Sequence, residues 1–81
     1  MPNPATNTVQ IVCDLVEDLD LLRLEILDLN GRLIEQQTIN NSSIKGRQIL
    51  NCQVTNYANG TYFARLTTER STVSRQFVVL H

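Results

Sequence analysis

"ILDLNGRLIEQQ", residues 26–37, is the stretch whose reading decides the fold of this chain. Two apolar runs meet there at Asp28-Leu29-Asn30-Gly31. Periodicity alone does not choose between a helix and a hairpin. Leu15, Leu19, Leu22, Ile26 and Leu29 recur at intervals of four and three, the spacing of a helical stripe that would suit a dimerisation segment. Yet "LRLEILD" also alternates, with Leu22, Leu24 and Ile26 on one side and Arg23 and Glu25 on the other.

Turn chemistry arbitrates. Asp is favoured at the first position of a type I turn and Gly at the fourth, and Asp28 and Gly31 supply both. Gly31 in a left-handed conformation then closes a three-residue hairpin loop with a bulge. That register sets Asp28 opposite Arg32, Leu27 opposite Leu33 and Ile26 opposite Ile34, so apolar side chains meet apolar ones. A two-residue loop on Asn30-Gly31 would instead set Leu33 against Asp28 and Glu35 against Ile26, a mismatch of faces. The expectation is a hairpin with the three-residue loop.

The rest of the chain alternates in the same way. In Thr8–Leu15, Val9, Ile11, Cys13 and Leu15 share one face. "VEDLD" after it reads as an acidic loop or sheet edge, and Ile39–Gly46 ("INNSSIKG") as a polar loop. Leu50, Cys52 and Val54 alternate with Asn51 and Gln53. "TNYANG" (Thr55–Gly60) is dense in turn formers. Tyr62, Ala64 and Leu66 share a face, "ERST" turns, and Val73–Leu80 reads as a last strand. Short alternating strands separated by turns indicate an all-β, Ig-like antiparallel β-sandwich of about six to seven strands.

Composition bounds the function. With 81 residues the chain is one domain with a thin core. It has no Trp, and Tyr57, Tyr62, Phe63 and Phe77 are its aromatics, which is little from which to build an aromatic-lined ligand surface. No apolar run approaches the ~20 residues of a membrane span. "PNPATNT" after Met1 is not a signal peptide, so the chain is expected to be cytosolic or a piece of a longer protein targeted elsewhere. The net charge of −1 names no partner, but charge is unevenly spread. Residues 1–35 carry seven acids against Arg23 and Arg32, a balance of −5; the remainder carries Lys45, Arg47, Arg65, Arg70 and Arg75 against Glu69, a balance of +4. Such asymmetry serves to steer a partner or to draw the two halves together, although a mixed solvated surface is the commoner outcome.

Few residues suggest chemistry. His81, the sole histidine, stands last, where no third group holds it as a catalytic base. Asp14, Glu17, Asp18 and Asp20 offer oxygens for a hard cation, but Leu15, Val16 and Leu19 interrupt them and the calcium-loop order is missing. A solvated loop or edge guard is the commoner role of such a run. Cys13 and Cys52 fall on apolar faces, either as two free core thiols or as one disulfide across the sandwich. The basic residues are scattered without interleaved aromatics, so no nucleic acid is expected, and no phosphate loop is present. No catalytic, metal or cofactor-binding set emerges, and no small-molecule substrate.

Four features in order carry a resemblance: "PNPA" at the start, "LEILDLNGRLI" in the middle, "NYANGTYFARL" later, and "SRQFVVLH" at the end. Together they resemble the C-terminal sorting domain of cargo proteins exported by the bacterial type IX secretion system. Pro2, Asn3 and Pro4 match the family's opening motif, Asp28 and Gly31 its Asp-x-x-Gly turn, and Gly60 and Tyr62 its Gly-x-Tyr. Phe77, Val78, Val79 and Leu80 match its terminal apolar strand. Met1 stands where the family usually has an aromatic, and His81 where it usually has a basic residue.

The resemblance implies that residues 1–81 form a single sorting domain of a longer secreted protein, with no enzymatic activity and no cofactor. The implied partners are the type IX translocon, an outer-membrane shuttle protein and a sortase-like surface protease that removes the domain. The implied route is through the periplasm to the cell surface or the extracellular space. On this reading the terminal segment Arg75, Gln76, Phe77, Val78, Val79, Leu80 and His81 is the docking element. Its strand edge offers backbone groups to a partner, and the domain is a monomer or a weak dimer. The alternative is an Ig- or fibronectin-like adhesion or carbohydrate-binding module that is retained on the protein.

Overall fold

Alternation of apolar and polar residues becomes six strands and no helix among the described residues of a computed structural model, which are 7–40 and 44–81, without the side chains of 16–18. The strands are β1 (Thr8–Leu19), β2 (Leu22–Asp28), β3 (Leu33–Ile39), β4 (Ile44–Gln53), β5 (Gly60–Thr68) and β6 (Thr72–Val79). All pairings are antiparallel. β1 and β4 form one sheet; the other has the order β3-β2-β5-β6.

The two sheets bury their apolar faces on each other, as each sheet must to remove that face from water. Val9, Ile11, Leu50 and Cys52 come from the smaller sheet. Leu24, Ile26, Ala64 and Phe77 come from the larger. This is the expected Ig-like sandwich, and the stripe from Leu15 to Leu29 is not a helix: it is divided between β1, β2 and the turns that follow them.

The hairpin at Gly31 forms as the turn chemistry requires. The Gly31 amide donates to the Asp28 carbonyl at 3.0 Å and the Asp28 amide to the Arg32 carbonyl at 3.0 Å. Gly31 has φ of 85°, the left-handed region that L side chains avoid. The Asp28 carboxylate accepts from the amides of Asn30 and Arg32, both at 2.9 Å, and pairs with the Arg32 guanidinium at 3.0 Å.

Beyond the turn the expected register fails by one residue. Leu27 does face Leu33, but Ile26 faces Glu35, because a bulge drops Ile34 from the ladder. One extra residue turns the strand over. Glu35 and Gln37 therefore take the side of β3 that faces the other sheet, and Ile34 is left exposed.

Two loop boundaries also differ. The acidic segment after Leu15 remains in β1, irregular between Leu15 and Leu19, with Leu19 paired to Ile44. Ile39 ends β3 and Ile44 begins β4, so both ends of the expected polar loop, Ile39 and residues 44–46, belong to strands. Leu19 and Ile44 are both buried, and that apolar pair extends the ladder past the polar residues around it.

Candidate functional site

Three motifs far apart in sequence meet at one end of the larger sheet. Asp28 at the end of β2 lies opposite Tyr62 on β5, and Tyr62 lies opposite Phe77 on β6. Gly60 lies opposite Val79 in the same ladder. The Tyr62 and Phe77 rings stack with centroids 5.7 Å apart, and the Tyr62 hydroxyl donates to the Ala58 carbonyl at 2.7 Å. That bond supplies the partner a buried phenol needs. Pro2, Asn3 and Pro4 lie outside the described residues.

The terminal segment divides into two sets. Phe77 and Val79 point into the core and are fully buried. Arg75, Gln76, Leu80 and His81 are exposed, and Val78 is half-buried. β6 has β5 on one side and no strand on the other among the described residues. Among the described residues its first half, residues 72–76, therefore carries the outward backbone groups that could receive a further strand, while Val78 and Leu80 at its end already have partners.

The tail is fastened to the loop between β4 and β5. The His81 amide donates to the Asn59 side-chain oxygen at 3.0 Å, and the His81 ring nitrogen Nε2 lies 2.8 Å from the Tyr57 carbonyl. The same loop receives the start of the described chain, where the Val54 amide donates to the Asn7 carbonyl at 2.8 Å. Tyr57 in turn donates its hydroxyl proton to Glu35 Oε1 at 2.7 Å, and the Cys52 sulfur lies 3.5 Å from the Tyr57 oxygen. A phenol has one proton, and in Tyr57 it is committed to Glu35, so the thiol is the donor in that second contact.

The titration of these groups follows from burial. Burial pushes the Tyr57 phenol far up, aided by its bonds to Cys52 and Glu35. Burial also raises the Cys52 and Cys13 thiols, with the Asp14 charge adding to the latter. A thiol raised in this way stays protonated at neutral pH and is a poor nucleophile. The cysteines are free. Cys52 pairs with Val9, four residues from Cys13 on β1, a distance of ~13 Å along a strand against the ~7 Å limit for a disulfide.

Of the acidic run, the side chains of Glu17 and Asp18 lie outside the described residues. Asp14 is held by Arg47 at 3.0 Å, and among the described residues no three His, Cys, Asp or Glu side chains converge. Glu25 pairs with Arg65 at 3.0 Å, so both contacts join the acidic first part of the chain to the basic remainder. The Asp14–Arg47 pair is solvent-facing and adds little stability, while Glu25–Arg65 is partly buried. Glu69 caps the turn between β1 and β2 by accepting from the amides of Asp20 and Leu21 at 2.8 and 3.2 Å.

Glu35, Tyr57 and Asn59 were not legible as site residues. The available signal was an aromatic in a loop of turn formers, since a tyrosine there needs both an apolar seat and a polar partner.

A family model described as "Secretion system C-terminal sorting domain" matches residues 1–80. No curated protein and no solved structure matches the chain.

Proposed function

The chain belongs to the family of secretion system C-terminal sorting domains, and from that premise we propose that it is a folded, non-catalytic address label read through its terminal strand. A domain of this family is a sorting signal for type IX secretion, which delivers cargo to the cell surface or the extracellular space. In the proposed sequence the cargo crosses the inner membrane by a separate signal. The translocon and an outer-membrane shuttle protein then engage this domain in the periplasm. A sortase-like protease removes it at the surface.

The observation that carries the docking role is the place of β6 at a sheet border among the described residues, with Gln76 exposed on it and Leu80 and His81 exposed just past its end. Strand addition to such a border supplies affinity through main-chain hydrogen bonds and specificity through the exposed side chains. Tyr62 stacks on Phe77 and Gly60 pairs with Val79, so the Gly-x-Tyr motif holds the end of β6, while Asp28 and Gly31 close the hairpin that leads out of β2 beside it.

Deleting the last five residues is a poor test. It removes Phe77 and Val79 from the core, and losing a buried Phe side chain alone costs about 3–5 kcal/mol. The cleaner variant combines Gln76→Ala, Leu80→Ala and His81→Ala in a reporter fusion, with folding checked by circular dichroism. The folded variant should accumulate in the periplasm; normal export of it would refute the docking role.

A further inference from the structure

The smaller sheet is one strand too narrow to cover the larger. β4 lies toward the β3 side, where the Gln37 side chain donates to the Asn51 carbonyl at 2.9 Å. β1 lies toward β5 and β6 and has β4 as its single neighbour among the described residues. Among those residues, nothing from the smaller sheet roofs the first half of β6.

Two side chains show the gap. Val73 lies opposite Leu66 and Arg75 opposite the buried Ala64, so both point toward the facing sheet. Phe77 and Val79 on that face are fully buried, yet Val73 is 45% exposed and Arg75 is exposed. An inward-facing residue stays wet only when the opposite layer is missing.

The space above them is a groove of about 420 Å³. Its walls include Ile11, Cys13 and Leu15 from the inner face of β1, and also Val12 and Asp14 from its outer face. Residues of both faces border one groove only where the groove runs along the strand's edge. The edge of β1, which no strand pairs among the described residues, therefore forms one wall, and Leu66, Val73 and Arg75 form the floor.

Charge selects the occupant further. Asp14 is already paired with Arg47 at 3.0 Å, so its charge is offset. Among the described residues Arg75 reaches the Ser74 carbonyl, at 3.4 Å, and no carboxylate. The groove thus offers main-chain donors and acceptors, an apolar floor and a cation that no carboxylate among the described residues meets.

We infer that this groove takes one extended polypeptide segment of a partner protein. It pairs along Ile11–Leu15 of β1, sets apolar side chains on Leu66 and Val73, and points a carboxylate at Arg75. The smaller sheet then has three strands in the order β4-β1-partner, and the inner face of β6 is roofed. This site is distinct from the outer border of β6, and its test needs no secretion machinery.

The probe is a synthetic octapeptide of alternating valine and threonine with one central glutamate, titrated to millimolar concentration against the isotopically labelled domain. Binding should be one to one and should shift the amide resonances of Ile11–Leu15. A peptide methylated on alternate backbone nitrogens should not bind, because it cannot pair with the edge. Arg75→Glu, a change at an exposed position, should weaken the glutamate peptide about fivefold, and a lysine peptide should restore binding to that variant. Absence of binding overturns the inference, as does equal binding of the methylated peptide or shifts mapping to β3. Self-association through β1 without peptide also overturns it, since the occupant is then a second copy of the chain.

Discussion

The Tyr57 hydroxyl lies 2.7 Å from Glu35 and joins the loop after β4 to the border strand of the opposite sheet. It is the link through which the tail's anchor reaches the core, because the same Tyr57 carries the carbonyl that meets His81 at 2.8 Å. Removing the hydroxyl in Tyr57→Phe leaves Glu35 its contact with Gln37, at 3.3 Å, and deprives the Cys52 thiol of its acceptor. The expected loss is about 1–2 kcal/mol in urea unfolding. Glu35→Gln, which retains an acceptor for the phenol, should lose less.

Acid should loosen the domain through two carboxylates. Amides hold Asp28 below the ordinary carboxylate range, that of Arg32 first, and the Asp20 amide does most to lower Glu69. Between the lowered and the ordinary values the folded chain binds fewer protons than the unfolded chain. Their contribution is therefore full above the ordinary carboxylate range of about pH 4 and is lost as pH falls through the folded values. Thermal unfolding measured down that range should show a falling midpoint. Asp28→Asn with Glu69→Gln should flatten the fall.

Gly31 isolates a purely conformational effect. A Cβ added there meets nothing within 4 Å, so no clash contributes. The left-handed backbone alone should make Gly31→Ala less stable by about 1–2 kcal/mol. Gly31→Asn should lose less, because Asn tolerates that region, and equal losses for Asn and Val would contradict this account of the turn.

The thiols give a yes-or-no check. Protein purified without reductant and then denatured should titrate with two thiols by a colorimetric reagent, since the register keeps Cys13 and Cys52 apart. A denatured monomer with no titratable thiol would show that this register is wrong.

Much of this architecture was legible because turn chemistry is local. Asp28 and Gly31 specify their loop through their own side chain and backbone, and the alternation in Val9–Leu15 and Leu50–Val54 needs only a facing sheet. The bulge at Ile34 was not legible, because it is decided by partners distant in sequence: Tyr57 for Glu35 and Asn51 for Gln37. Judged by the strand alone, Glu35 and Gln37 belong outside. The first turn of β4 was hidden for the same reason, since Ile44 is a strand residue only because Leu19 lies across from it. At the tail, the apolar pattern of Phe77 and Val79 was plain, but the anchoring of His81 depends on a loop residue 24 positions earlier.

The central claim is that these 81 residues are themselves the export signal. The most direct measurement fuses them to the C-terminus of a periplasmic reporter in a type IX-competent bacterium and in a sibling strain lacking the translocon. Reporter at the surface or in the medium of the first strain, and in the periplasm of the second, is the predicted result. Periplasmic reporter in both strains, or equal release from both, would contradict it.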